Sequence, residues 1–245
     1  MTGLAARDER LRELMDDPDC DPVRLRRTLE RFAVVNRLVS GWGTVYRTRV
    51  RPALRAVAGP ARIVDIGCGG GDVLRGLVAR ARRDGFEVTG LGIDPDERGL
   101  AVSRATALPG VDYRAAHSSD LVAAGERFDI AVSNHVLHHL DARELATVLD
   151  DSAALAPSLA LHSDIARSRL AYAAYAVGIT PLAPGSFLRT DGLRSIRRSR
   201  TVAELATLPG WDASAPVPFR VLLTRSASAP TGPASTAPAT ATPRR

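Results

Sequence analysis

Residues 63–72 read Ile-Val-Asp-Ile-Gly-Cys-Gly-Gly-Gly-Asp, an apolar run that meets four glycines and then a helical pattern. Such a loop brings bare backbone against a ligand. Gly67, Gly69 and Gly71 carry no Cβ and accept positive φ, and the helix that follows points free amides at whatever lies on the turn. Cys68 sits inside the loop. The spacing is Gly-x-Gly-x-Gly, whereas the dinucleotide fingerprint is Gly-x-Gly-x-x-Gly, and Asp72 stands where its last glycine would fall. Asp65, ahead of the first glycine, would be repelled by a pyrophosphate and would welcome a cation. One strand-helix-strand unit later, Asp94-Pro95 supplies a carboxylate able to accept both hydroxyls of a ribose.

A ligand that joins a ribose to a sulfonium and an ammonium suits both acids, and S-adenosylmethionine is such a ligand. The other chemistry-bearing segment is Ser133-Asn134-His135-Val136-Leu137-His138-His139-Leu140, which holds three of the five histidines. An imidazole with its ordinary pKa of about 6.5 is matched to removing a proton from a phenol or enol near neutral pH. His135 and His138, three residues apart, are the candidate catalytic bases, with His139 turned away. The alternative, packed and hydrogen-bonded structural histidines, stays open at this point. Asp141 with Glu144 three residues later spells a capping box, so Asp141 reads as a helix cap and no metal site is indicated.

The elements around these segments alternate. Ile63–Ile66, Val88–Ile93, Val111–Arg114, Phe128–Ser133 and Ser158–His162 read as strands, with helices over Val73–Arg83, Glu97–Ala107 and Ala142–Ala156 between them. Such alternation builds a parallel sheet with helices on its faces. Phe219–Thr224 is a late strand. Before it come an apolar helix, Leu170–Ile179, and a helix opening at Thr201, where Glu204 completes another capping box. Asp21-Pro22 caps an early helix with Leu25, Leu29, Phe32 and Asn36 on one face, and a second helix runs from Thr44 to Val57. Residues 1–60 therefore read as an N-terminal helical cap and 61–225 as a ligand-binding α/β domain with an acceptor-side insertion around 165–200. Residues 226–245, made of Ala, Ser, Thr, Pro, Gly and Arg, read as a disordered tail.

Together the glycine loop, the Asp94 turn and the 133–140 segment resemble the three cofactor motifs of class I S-adenosylmethionine-dependent methyltransferases. That resemblance covers residues 61 to about 165. It implies a Rossmann-like, doubly wound, mostly parallel seven-stranded sheet, with Ser133 and Asn134 touching the methionine portion of the cofactor. The position that meets the adenine amino group falls on His117, followed by Ser118, where the family usually has an acid; Asp120 serves if the register slips. Softer likenesses lie in Glu13–Asp16 with Leu25–Leu38, in Asp164 with Arg167–Leu170, and in Arg189–Gly192 with Ser195–Arg198. They are similar to bacterial ubiquinone- and menaquinone-type and polyketide-associated enzymes, which implies a small phenolic, quinol or polyketide-type acceptor methylated on oxygen or carbon. Phe32, Asn36, Trp42, Tyr46 and the Leu170–Phe187 insertion would wall it.

Composition narrows the alternatives. All 33 basic residues are arginine, a uniform bias that points to GC-rich coding rather than a nucleic-acid footprint, even at a net charge of +6. The one tight cluster is Arg194, Arg197, Arg198 and Arg200. Two cysteines, Cys20 and Cys68, and the want of an apolar leader lead us to expect a cytoplasmic protein without stable membrane insertion. It is expected as a monomer or homodimer with a small-molecule acceptor and no nucleic acid. A nicotinamide oxidoreductase is disfavoured by Asp65 and Asp72, while a non-catalytic S-adenosylmethionine-binding module is the surviving rival.

Overall fold

A computed structural model describes residues 4–226. Its centre is a seven-stranded sheet of order β3-β2-β1-β4-β5-β7-β6. The strands are β1 (Ala61–Ile66), β2 (Val88–Asp94), β3 (Val111–Ala115), β4 (Ile130–Asn134), β5 (Leu159–Ile165), β6 (Asp212–Ser214) and β7 (Arg220–Ser226). The first five are parallel, whereas β7 runs antiparallel to both β5 and β6.

Both faces of β1 are covered, which is why it reads as an unbroken apolar run rather than an alternating one. Ile63 packs with α4 (Asp72–Arg83) through Leu74, Leu77 and Val78, while Val64 and Ile66 face the opposite layer. That second layer is supplied by α6 (Ser118–Ala123), α7 (Ala142–Leu155) and α10 (Val202–Leu205). The chain leaves β1 toward β2 and β3 on one side and returns to β4 and β5 on the other. The crevice beyond the carboxyl ends of β1 and β4 lies at that reversal, where open α/β sheets take their ligands.

The helical segment ahead of β1 divides in two. α1 (Pro22–Val39) is capped by Asp21, whose carboxylate accepts from the Val23 and Arg24 amides. The next helix begins at Trp42 and not Thr44: α2 (Trp42–Val45) passes through one π-turn over Tyr46–Val50 into α3 (Arg51–Ala56). Trp42, Val45, Tyr46, Val50 and Leu54 are buried in the same core as α4, so this helix is part of the domain's own layer. Residues 4–21 form no long helix or strand. They lie along α9 (Leu188–Arg198), tied by Asp191, whose two carboxylate oxygens accept from the Leu14 and Met15 amides.

Strand β4 starts two residues later than Phe128, and α6, α9 and β6 were not anticipated. The remaining helices are α5 (Glu97–Ala105) and α8 (Arg169–Gly178). Ser226 closes β7, and the rest of the expected tail, 227–245, lies outside the described residues.

Candidate active site

β1 delivers Asp65 and the glycine loop to one end of a cleft of about 840 Å³. Gly67, Gly69 and Gly71 all take positive φ, at 70°, 49° and 71°. The reason differs among them. A Cβ on Gly67 would stand 2.6 Å from Val136 and one on Gly71 2.5 Å from the Tyr113 hydroxyl, whereas at Gly69 it would meet nothing. Gly67, Cys68, Gly69 and Asp65 line the cleft; Gly71 does not, so its expected cofactor contact is replaced by packing under Tyr113.

Asp65 is 1% exposed, and its Oδ1 has no hydrogen-bond partner. Burial, reinforced by the nearby charges of Asp72 and Asp94, holds its carboxyl well above the ordinary range. A buried carboxyl whose charged form is disfavoured and whose oxygen is orphaned is matched to a cation that would restore its charge. Asp94 accepts the Gly69 amide at 2.9 Å and the Asp96 amide at 2.8 Å, one on each oxygen, which leaves lone pairs for a diol. Pro95 lines the cleft beside it. Asp72 receives the Asn36 side-chain amide from α1 at 3.1 Å. These groups fit S-adenosylmethionine: two carboxylates for its positive end and one for its ribose.

His117 and Ser118 border the same cleft. The Ser118 hydroxyl is spent on Asp151 of α7 at 2.6 Å, and Asp120 turns back to accept the His117 amide, so the register alternative on Asp120 falls away.

At the end of β4 the assignments divide. Asn134 lines the cleft, and its carbonyl oxygen accepts from Trp42 Nε1 at 3.1 Å and from Arg220 at 2.6 Å. Ser133, one residue back, points the other way. It is fully buried, with its hydroxyl 2.7 Å from His162 Nδ1, and makes no side-chain approach to the cleft. Strand alternation forces this: adjacent residues cannot share a face.

The histidines are likewise reassigned. His135 leaves the strand with φ of 61°, rare for a side-chain-bearing residue, and its amide is held by the Ser163 carbonyl. Its Nε2 lies 2.7 Å from the Arg220 guanidinium, which has only protons to give, so Nε2 is the acceptor and Nδ1 carries the hydrogen. Burial first, then Arg220, pushes the His135 pKa well below its usual value. A neutral ring with its lone pair occupied is a donor, so the base role does not fit it.

His138 fails as a base for the opposite reason. It is 1% exposed, with Nδ1 2.7 Å from Asp164 and Nε2 3.1 Å from Glu13. Burial alone would lower its pKa, yet the Asp164 and Glu13 carboxylates outweigh that and push it up to about 9. It is an imidazolium clamped between two acids.

His139, expected to turn away, lines the cleft with 30% of its side chain exposed. Its Nδ1 lies 3.3 Å from Asp16. Two donor sets, Glu13–His138–His139 and His135–His138–Asp164, crowd within 4.8 Å. Both depend on His138, whose nitrogens are already given to carboxylates, so neither is a free ligand triad.

The turn bearing these rings is held by its backbone. Arg200 donates to the Leu137 and Leu140 carbonyls, Arg198 to that of His139, and Arg7 to those of His138 and Leu140. Arg194 and Arg197 are engaged too, with the Arg12 carbonyl and with Asp8. The basic cluster in the sequence is thus turned to internal bonds. Sequence reasoning missed Glu13, Asp16, Asp164 and Arg198 as site residues, although all four stand in the softer likenesses.

A family model described as "Methyltransferase domain" matches residues 26–211. The ubiquinone biosynthesis O-methyltransferase of Methylobacterium sp. (strain 4-46) is 46% identical over 82 residues, which are 32% of this chain and 30% of that protein. The enzyme of the same name from Rhizobium etli (strain CIAT 652) is 40% identical over 83 residues, 32% of this chain and 31% of that protein. The match thus spans about a third of the length of these curated relatives. Among solved structures, the plantazolicin methyltransferase BpumL, in complex with a monoazolic desmethylPZN analog and SAH, superposes with a TM-score of 0.55 at 12% identity. That pairing covers 86% of this chain and 91% of BpumL and speaks for the fold alone.

Proposed function

This chain belongs to the class I S-adenosylmethionine-dependent methyltransferases, and on that premise we propose that its acceptor is a small, neutral phenolic, quinol or polyketide-type molecule. One observation carries the reading: the orphaned Asp65 carboxylate and the Asp94 carboxylate face the same cleft as Phe32, His135 and His139. The glycine-loop end suits the cofactor, and the end walled by α1 and residues 13–16 is left for the acceptor. Eight carboxylates line the cleft against one arginine, Arg143. An acceptor with a carboxylate of its own would be repelled there, and a neutral hydroxylated ring would not.

In this reading Asp65 and Asp72 hold the cofactor's cationic groups, Asp94 its ribose, and Gly67, Cys68, Gly69, Pro95, His117, Ser118 and Asn134 the surrounding surface. Bound S-adenosylmethionine supplies a methyl group already activated by positive sulfur. What remains for the protein is alignment of the acceptor and exclusion of water. Phe32, 6.1 Å from the His135 ring, offers an apolar plane, and His135 Nδ1–H is a donor for an acceptor oxygen.

Calorimetry with S-adenosylmethionine, its demethylated product and NAD, followed by labelled-methyl transfer to neutral and carboxylated phenols, tests the proposal. Binding of the first two ligands and labelling of neutral phenols is the expected outcome. Preference for the carboxylated phenols would overturn the acceptor assignment.

A further inference from the structure

We propose that His139, oriented by Asp16, is the group that takes the acceptor's proton. The inference rests on the reading that a hydroxyl is methylated. Of the three rings on the 135–140 turn, His138 has both nitrogens bonded to carboxylates and His135 has its lone pair on Arg220. His139 is the ring of the three that lines the cleft with neither nitrogen given to a hydrogen bond.

Its surroundings are those of an oriented base. Nδ1 lies 3.3 Å from Asp16 Oδ2, and Asp16 is itself 3.6 Å from Arg198 Nη1. Arg198 also donates to the His139 carbonyl at 3.0 Å, so one buried guanidinium fixes both the acid and the backbone of its partner. Burial would raise the Asp16 carboxyl, but His139 and then Arg198 hold it below the usual range, so it stays an anion. Nδ1 is the nitrogen beside that anion, and with the ring hydrogen there the lone pair of the neutral imidazole sits on Nε2.

Nε2 lies 3.8 Å from Glu13 Oε1, too long for a hydrogen bond and short enough for that carboxylate to stabilise a proton arriving there. Other charges face the ring. The His138 imidazolium stacks against it at 4.2 Å and opposes a second charge, Asp94 lies across the cleft, and His135 stays neutral.

In the step itself the acceptor O–H proton passes to His139 Nε2 while an oxygen lone pair forms the new C–O bond. The C–S bond breaks with its pair left on sulfur, giving S-adenosylhomocysteine, and the proton leaves the ring to solvent. Asp16 touches no reacting atom and acts by positioning.

The labelling arm uses the full chain free of cofactor, so that His117 at the adenine end stays accessible. Diethyl pyrocarbonate acylates neutral, accessible imidazoles, and peptide mass mapping reads each site, with the exposed His117 as internal control. His139 should label and His138 should not, and Asp16→Asn should change the rate of His139 labelling several-fold while leaving His117 unchanged. In turnover with catechol, His139→Gln should lose roughly 10²–10⁴-fold in kcat with S-adenosylhomocysteine affinity within twofold. With 4-nitrocatechol, already ionised near neutral pH, the loss should shrink. Equal labelling of His139 in wild type and Asp16→Asn, or equal losses on both catechols, overturns the proposal. A wild type that methylates neither catechol sinks the phenolic reading instead, and the labelling arm still decides the His139–Asp16 pair.

Discussion

Replacing His138 by Gln removes a buried cation that joins the N-terminal segment to β5, and its signature is a pH profile. The pKa of His138 rises from 6.5 to about 9 on folding. Between those values the folded chain binds a proton that the unfolded chain has released, so stability falls as pH rises. The contribution is complete below about pH 6.5 and gone above about pH 9. A shift of that size at about 1.4 kcal/mol per unit corresponds to about 3 kcal/mol. The partners act on the acid side: Asp164 and Glu13 are both held below the usual carboxylate range, although burial alone would raise them, chiefly by His138 and by His139 with His138 respectively. Their share is present above ordinary carboxylate pKa values and lost as pH falls through the depressed ones. Urea unfolding of wild type and His138→Gln every half unit from pH 5.5 to 10 measures the difference. We expect the variant to be destabilised by about 3–5 kcal/mol near neutral pH, because two buried anions lose their partner, and the gap to narrow on passing pH 9. Parallel profiles across the whole range would refute an imidazolium at this position.

Other perturbations follow from the cofactor end. Asp65→Asn removes a buried carboxyl whose charged form burial, Asp72 and Asp94 disfavour, so the free protein should melt higher while binding S-adenosylmethionine more weakly; a lower melting temperature would mean that Asp65 is satisfied in the free protein. Asp94→Ala should weaken cofactor binding by about 1.5–3 kcal/mol, the scale for losing hydrogen bonds to a charged group, and calorimetry reads it directly. Gly71→Ala forces a side chain into φ of 71° and against Tyr113, and should cost about 1–3 kcal/mol of stability, part of it recovered in Gly71→Ala with Tyr113→Ala.

The parts of the fold legible in the sequence are those written in local signals. The β1–glycine loop–α4 unit, the Asp94 turn and the capping boxes at Asp141/Glu144 and Thr201/Glu204 each span a few residues, and the structure holds all of them. α9 escaped because its buried face is mostly not apolar, with only Leu188 and Ile196 as aliphatic side chains. Asp191, Gly192, Ser195 and Arg198 are buried there, and Gly192 is needed because a Cβ would stand 2.2 Å from the Tyr175 hydroxyl. Two aliphatic residues eight apart, with polar residues between them on the same face, give little hydrophobic period to read. β6 is three residues long and sits at the sheet edge. The histidines were legible as a cluster and not as roles, since a ring's tautomer and charge follow from its partners. Those partners lie 85 residues away for His135, and 26 and 125 for His138.

The three softer likenesses, which look unrelated along the chain, meet at these partners. Glu13 of the first and Asp164 of the second clamp His138; Ser195 of the third donates to Glu13 at 2.7 Å, and Asp191 holds the amides of Leu14 and Met15. Buried ion pairs of this kind are poor sources of stability, because desolvation offsets most of their attraction. Stability is therefore not a sufficient reason to gather two buried acids and three arginines around residues 137–140. What the arrangement does secure is geometry. The carbonyls of all four residues of that turn are held by guanidinium groups, and the His138 ring between them is fixed by two carboxylates. Because the methyl group arrives already activated, alignment is the largest contribution the protein can make, and misplacement of a site by about 1 Å can cost on the order of 10²-fold in rate. A turn rigid in its backbone can hold one ring as a fixed cation, a second as a neutral donor and leave the third, His139, exposed to the cleft.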